Sequence, residues 1–250
     1  MRLPPSPAAD GDAVHCVAFS GGGDSTVLLH LAAVARLPGL RAIHVHHGLQ
    51  PLADDWAEHC ALTVCHVPVD TDDPQGLEAA ARKARYAALR ECLPAGAVLM
   101  TAHHQSDQAE TVLFRLLRGT GIDGLAAMRT LAPFGDGWLW RPLLQVPSSQ
   151  LRAYQAQHAL IAVDDPHNTD PRYARSWLRH TLLPQLRQHW PAAERHLAEA
   201  ACHAQEASQL LTTLAEQKLA SLRGPDDTLC AEGLRRLSAA EQALVLRHWC

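Results

Sequence analysis

The feature that most constrains this chain is a glycine turn set directly after a buried strand. Residues 14–19 are short, largely apolar and free of chain breakers, so they read as an interior strand. That strand runs into Ser20-Gly21-Gly22-Gly23-Asp24-Ser25, and from Ser25 to about Arg36 the apolar spacing turns helical before stopping at Pro38-Gly39. Strand, glycine turn and helix in this order make an anion cradle. Glycines let backbone N–H groups approach an anion closely, and the helix directs its positive amino-terminal end at the same point. Ser20 and Ser25 add hydroxyl donors to that cradle. Asp24 is the informative residue, because an acid beside a phosphate repels it unless a cation stands between them. The loop therefore implies Mg²⁺ bridging the carboxylate and the phosphates. No Gly-Lys-Ser/Thr follows, which excludes a Walker A loop, and the glycine spacing is not the GxGxxG dinucleotide fingerprint.

Further apolar runs at 40–46, 64–69, 97–101 and 138–143 alternate with helical periodicities around 54–62, over 77–93, from His103-His104 onward and from about Pro147. This alternation predicts a parallel twisted sheet with helices on both faces, an α/β fold. In the 77–93 helix, Leu77, Ala81, Ala84 and Ala88 share one face while Glu78, Arg82 and Arg85 share another. In the next helix, Ala109, Val112, Leu113, Leu116 and Leu117 are expected to face the core, with Asp107, Thr111 and Arg118 pointing away. Gly119, Gly121 and Gly124 end it. An apolar stretch at 160–163 completes this part of the chain, and Pro184 and Pro191 mark a shift to alanine- and leucine-rich helical sequence. The reading is a short disordered lead-in at 1–12, a phosphate-binding α/β domain at 13–189 and a smaller all-helical domain at 190–250. The final helix, from near Ser238, reaches Cys250 without a stop signal, so a longer protein truncated at its C-terminus is expected.

Composition narrows the function classes. A net charge of −4 argues against a protein that coats nucleic acid with its whole surface. One window is basic: Arg172, Arg175, Arg179, Arg187 and Arg195 face only Asp170 and Glu194, either as a solvated helix surface or as a contact for a nucleic-acid backbone. The seven cysteines are scattered without a CxxC pair, which points to reduced thiols rather than to disulfides or a zinc knuckle. No apolar run is long enough to cross a bilayer, and the proline-broken start lacks the apolar region of a signal peptide, so a cytoplasmic protein is expected.

Ser-Gly-Gly-x-Asp-Ser after a strand resembles the PP-loop of the N-type ATP pyrophosphatases, which cleave ATP between the α and β phosphates and transfer AMP to an acceptor oxygen. Within that superfamily, further segments resemble the tRNA(Ile)-lysidine synthases. They are Ala42-Ile43-His44-Val45-His46-His47-Gly48-Leu49, Glu78-x-x-Ala81-Arg82-x-x-Arg85-Tyr86, and Thr101-Ala102-His103-His104-Gln105-Ser106-Asp107-Gln108-Ala109-Glu110-Thr111. Arg118-Gly119-Thr120-Gly121-x-x-Gly124-Leu125, Arg141-Pro142-Leu143-Leu144 and Asp165-x-x-Asn168 continue the match, which spans roughly residues 14 to 190. Three positions depart from the family pattern. Ser106-Asp107 stands for its Asp-Asp, Asp165-Pro166-His167-Asn168 for its Asp-x-Ser-Asn, and Arg175-Ser176 for its Arg-Asn.

The resemblance implies an adenine nucleotide alpha hydrolase-like fold, ATP and Mg²⁺, and two substrates: a tRNA(Ile) with CAU anticodon and free L-lysine. The C2 oxygen of the wobble cytidine, C34, would be adenylated and lysine joined to give lysidine, changing codon specificity from AUG to AUA. It also admits a homodimer. Ser20, Gly21, Gly22, Gly23, Asp24, Ser25, His46 and His103 are the expected nucleotide contacts. Asp24 and Asp107 are candidates for metal ligand or general base, with Arg85 and Arg118 for anion contacts during catalysis. Arg172, Arg175, Arg179 and Arg187 are the candidate tRNA contacts. Two alternatives stay open: a tRNA thiolation enzyme working through the same adenylate, and an ATP-binding regulatory module without chemistry. His44, His46 and His47 are read as lining the nucleotide pocket rather than as a metal cluster.

Overall fold

The computed structural model describes residues 1–7, 13–46, 63–66, 77–163, 174–224, 226 and 228–249. Within them, β1 (His15–Ala18) lies between β2 (Arg41–His46) and β4 (Val98–Met100), parallel to both. The sheet continues outward through β3 (Thr63–His66) on one side, and through β6 (Gly137–Trp140) and β5 (Leu131–Phe134) on the other, giving the order β3-β2-β1-β4-β6-β5. Every described pairing is parallel except β5 with β6, an antiparallel hairpin at the sheet edge. β5 has no counterpart among the expected strands. It is four residues long and contains Pro133, a residue sheets accept at an edge because it has no N–H to give. The expected strand at 138–143 is correspondingly shorter: it leaves the sheet after Trp140.

Side-chain alternation along these strands explains why helices cover both faces. Val17, Val98, Met100 and Trp140 join Val27, Leu28, Leu31, Leu151 and Tyr154 in one core, under α1 (Gly23–Val34) and α5 (Ser148–Gln157). The intervening Cys16, Leu99 and Leu139 join Ile43, Leu89 and Phe134 in a second core under α2 (Leu77–Cys92). On α2 the described buried positions are Ala80, Ala88 and Leu89, with Ala84 half-buried. Of the lead-in expected to be disordered, Leu3 packs against the first core and Ser6 hydrogen-bonds the buried His15 at 2.8 Å. The polar helix expected around 54–62 lies outside the described residues.

The helix α3 (Gln105–Leu117) departs from its expected face. Its first two turns are buried almost all round, Thr111 included, whereas Leu116 and Leu117 are exposed. The cause is its neighbours. A short α4 (Ile122–Leu125) follows it, and the long helix α8 (Ala193–Leu222) packs against both. On α8, Gln205 donates to the Ala126 and Met128 carbonyls and Ser208 to Asp123, while Ala198, Ala201 and Ala204 let the backbones approach. The sequence after residue 190 is therefore helical as expected, through α8, α9 (Ala231–Arg235) and α10 (Ala239–Trp249), but its first helix is stitched to the sheet domain.

Between these parts runs one helical segment with a widened turn. α6 (Ala174–Trp177) passes through a π-turn at Leu178–Leu182 into α7 (Leu183–His189), where the Leu183 N–H reaches back five residues to the Leu178 carbonyl. Pro184 sits at the start of α7, and its ring and missing N–H disfavour the regular i→i−4 ladder there.

Candidate active site

Chain order makes a crevice at the carboxyl ends of β1 and β4. From β1 the chain winds outward to β2 and β3, then returns to β4 on the other flank, so the two adjacent strands lead into connections that diverge. The connection after β1 is the glycine loop, and the one after β4 carries His103 and His104 into α3.

The loop is fixed by its own side chains. Gly21 has φ +84°, a left-handed conformation that a side chain disfavours. A Cβ on Gly23 would stand 2.6 Å from Oε1 of Gln155, whose Nε2 donates to the Leu160 carbonyl. Buried Ser25 donates to the Gly22 carbonyl at 2.9 Å and accepts from the Ser20 N–H at 3.3 Å, so it shapes the loop rather than standing open to a ligand. Ser20 remains exposed. Behind the loop, the buried His44 donates from Nδ1 to the Phe19 carbonyl at 2.9 Å, and Val163 N–H bonds the Gly21 carbonyl. Among the described residues no group of His, Cys, Asp and Glu is arranged to hold a metal ion by itself.

Three carboxylates, an imidazole and a guanidinium meet beside the loop. Asp24, in the first turn of α1, lies 3.5 Å from Nε2 of His104, and Asp107 lies 3.6 Å from the same nitrogen. His104 caps α3: its Nδ1 accepts the Ser106 N–H at 3.2 Å, while Asp107 Oδ2 accepts the His104 N–H at 2.9 Å. With Nδ1 an acceptor, the neutral ring carries its proton on Nε2, toward the two aspartates. From the π-turn, Arg179 donates through Nη2 to Asp107 Oδ1 at 2.7 Å and through Nε to Glu110 Oε1 at 2.6 Å.

Electrostatics follow from this packing. Burial alone would lower the pKa of His104, but Asp24 and Asp107 raise it above the ordinary histidine value. Burial would raise Asp107, yet His104, His103 and Arg179 hold it below the usual carboxylate range. Burial pushes Glu110 up against the opposing pull of Arg179. His103, whose Nδ1 is 2.8 Å from the Thr101 hydroxyl, is lowered to about 4 by burial, with Arg141, Arg82 and Arg175 adding to the effect.

The remaining candidates separate. Arg118 and Arg175 both lie over the Phe114 ring, at 5.1 and 5.6 Å. Arg85 stands exposed on α2. Arg187 bonds Glu194. Arg179, expected on a tRNA-binding surface, instead enters the carboxylate cluster. The side chain of His46, at the end of β2, and the whole of Arg172 lie outside the described residues. Glu110 and Glu194 went unassigned in the sequence. The i, i+3 spacing of Asp107 and Glu110 was the available sign for the first, and no local pattern marked the second.

Residues 6–186 match the PP-loop domain. The chain belongs to the PP-loop family. Its fold agrees: a U34-tRNA thiolase from Methanococcus maripaludis, solved with its [4Fe-4S] cluster, superposes on this PP-loop protein with a TM-score of 0.58 at 16% identity, covering 81% of this chain and 74% of that one. The curated tRNA(Ile)-lysidine synthase of Alkalilimnicola ehrlichii is 52% identical over 247 residues, covering 94% of this chain and 55% of the relative. That of Pseudomonas aeruginosa is 49% identical over 256 residues, covering 94% and 58%. This PP-loop chain thus spans little more than half the length of the curated relatives it matches.

Proposed function

We propose that this chain carries the catalytic part of a tRNA(Ile)-lysidine synthase, a cytoplasmic ATP-dependent ligase. In this reading the C2 oxygen of C34 in a tRNA(Ile) with CAU anticodon attacks the α-phosphorus of ATP and releases pyrophosphate. The ε-amino nitrogen of free L-lysine then attacks C2, the C2–O bond breaks and AMP leaves, with the lysine proton passing to a base. The product pairs with AUA instead of AUG.

The observation that carries this reading is the grouping of Asp24, Asp107 and Glu110 around His104 and Arg179 beside the phosphate loop. The cluster sets three carboxylates against one guanidinium and one imidazole beside the phosphate loop, a net acidic grouping that suits a cationic second substrate, and lysine brings two ammonium groups. Its ε-amino group must lose a proton to become a nucleophile, which gives a carboxylate a task. Negative charge developing on the α-phosphate is met by the loop amides at the start of α1. The identity to curated lysidine synthases along nearly the whole chain supports the same assignment.

ATP in this reading carries Mg²⁺, which offsets the charge of the phosphates. Asp24 fits that ion: it is half-exposed and one carboxylate suffices when phosphate oxygens complete the shell. Asp107 fits less well than the sequence suggested, because Arg179 occupies Oδ1 and the His104 N–H occupies Oδ2.

The thiolation alternative draws no support from the cysteines. No CxxC pair stands in the sequence to hold a cluster or to pass sulfur. The test is incorporation of labelled lysine into a CAU-anticodon tRNA(Ile) with ATP and Mg²⁺. Incorporation that vanishes in Asp24→Ala supports the reading. Release of AMP and pyrophosphate without lysine incorporation overturns the choice of nucleophile, and ATP binding without turnover leaves a regulatory module.

A further inference from the structure

Side chains from the first turns of three helices meet around the Ser106 hydroxyl, outside the cluster just described. Ser106, in the first turn of α3, gives its hydroxyl proton to Glu194 Oε2 at 2.7 Å. Ser148, the first residue of α5, has its hydroxyl 3.4 Å from that of Ser106. Glu194 itself lies in the first turn of α8, and its other oxygen, Oε1, accepts from Nε of Arg187 at 2.7 Å. Ser106 is buried and Glu194 nearly so, while Arg187 reaches solvent. A carboxylate that accepts from a serine hydroxyl through one oxygen and from an arginine through the other is held in a single place.

What it holds is the turn that builds the site. The Ser106 N–H is the donor to His104 Nδ1, and it thereby fixes which His104 nitrogen carries the proton facing Asp24 and Asp107. Asp107 is the next residue along. Glu194 touches none of these groups directly; it acts through Ser106. Its helix, α8, belongs to the region after residue 190, so the contact ties that region to the catalytic turn.

We propose that Glu194 is a positioning residue: by holding Ser106 it sets the ring and tautomer of His104, and makes the site depend on the docking of α8. Position 106 is where the family resemblance expects a second aspartate; here a serine faces a glutamate brought from another helix. The turnover arm of the test rests on the proposed ligase reaction, but a second arm does not.

The experiment compares Glu194→Ala, Glu194→Gln, Ser106→Asp and the exchange Ser106→Asp with Glu194→Ser. The imidazole ¹⁵N resonances of His104 report its tautomer directly, with or without turnover. Glu194→Ala is expected to shift them toward a mixed tautomer and to lower kcat for tRNA-dependent AMP release about tenfold, with KM for ATP within about threefold and Tm within about 4 °C. Glu194→Gln keeps an acceptor for Ser106 and is expected to keep most of both signals. Ser106→Asp sets two carboxylates against each other and is expected to fail more severely, and the exchange is expected to recover at least half of that loss. Unmoved His104 resonances in Glu194→Ala, or an exchange no better than Ser106→Asp, overturns the proposal. If the parent protein turns over no tRNA, the ligase reading fails and the His104 resonances alone decide the role of Glu194.

Discussion

Arg179 lies side-on to Glu110, Nε to Oε1 at 2.6 Å and Nη2 to Oε2 at 3.0 Å, so that a guanidinium fork faces a carboxylate buried inside α3. The same Nη2 also reaches Asp107. Leaving a buried carboxylate without its cation costs about 3–5 kcal/mol in general, and the lower end applies here because Arg179 itself is partly open to solvent. Arg179→Ala is therefore expected to lower the unfolding free energy by about 3 kcal/mol and to abolish AMP release. Adding Glu110→Gln should recover much of the stability and none of the activity. Arg179→Lys keeps the charge but not the fork, and should fall between. Urea unfolding measures all three, and an Arg179→Ala protein as stable as its parent would contradict the pairing.

The loop yields two different glycine outcomes. Gly21 needs its positive φ, so Gly21→Ala stores about 1–3 kcal/mol of backbone strain in the turn that meets the phosphates. Gly23 has an ordinary φ, and its constraint is the Gln155 side chain, 2.6 Å from where an alanine methyl would sit. Nucleotide affinity measured without tRNA should fall about tenfold for Gly21→Ala and by less for Gly23→Ala, whose obstacle is the end of a flexible side chain. Gln155→Ala should rescue Gly23→Ala and leave Gly21→Ala unchanged; equal rescue of both would mean that side-chain crowding, not φ, governs the loop.

His103 sets a pH dependence of stability. Its pKa falls from 6.5 in the open chain to about 4 in the fold, first through burial and then through Arg141 and its neighbours. Between those values the unfolded chain binds a proton that the folded chain does not, so stability drops as pH falls through that window. The share of His103 between pH 7 and pH 5 is on the order of 2 kcal/mol. Asp107, held low, acts in the same direction at more acid pH, whereas the raised pKa values of His104 and Glu110 act against it. Comparing the parent with His103→Asn at both pH values isolates the one group. The variant should lose less stability on acidification, and an identical loss would place the titration elsewhere.

The loop and the sheet were legible because their signals are local. A short apolar run, three glycines and an acid at a helix start specify strand, turn and anion cradle within about a dozen residues. The antiparallel edge β5 was not, since Pro133 in a four-residue run carries no strand signature. The faces of α3 were misread at Leu116 and Leu117 because α8, far along the chain, decides which turns are covered. Arg179 shows the sharpest difference. Its partner Asp107 is 72 residues away, and an arginine in a basic window reads as surface until the π-turn before Pro184 aims it inward. The i, i+3 pair Asp107 and Glu110 could have been read as one acidic face, and the cation opposite it could not.

That relocation changes which arginines are expected to meet the tRNA backbone. Removing one phosphate contact reduces the slope of log K against log salt by about 0.7–0.9. Arg179 and Arg187 are committed to Glu110, Asp107 and Glu194, so replacing either should alter turnover or stability and leave the slope nearly unchanged. Arg118 and Arg175 share the Phe114 ring at the exposed end of α3, where two guanidiniums on one aromatic platform can meet a phosphate or a base. The double variant Arg118→Ala with Arg175→Ala is expected to lower the slope by about 1.5, the share of two phosphate partners, and to weaken binding alike for cognate and non-cognate tRNA. Filter binding across a salt series measures it. A slope that falls for Arg179→Ala but not for the Phe114 pair would place the tRNA path along Arg179 rather than over the Phe114 ring.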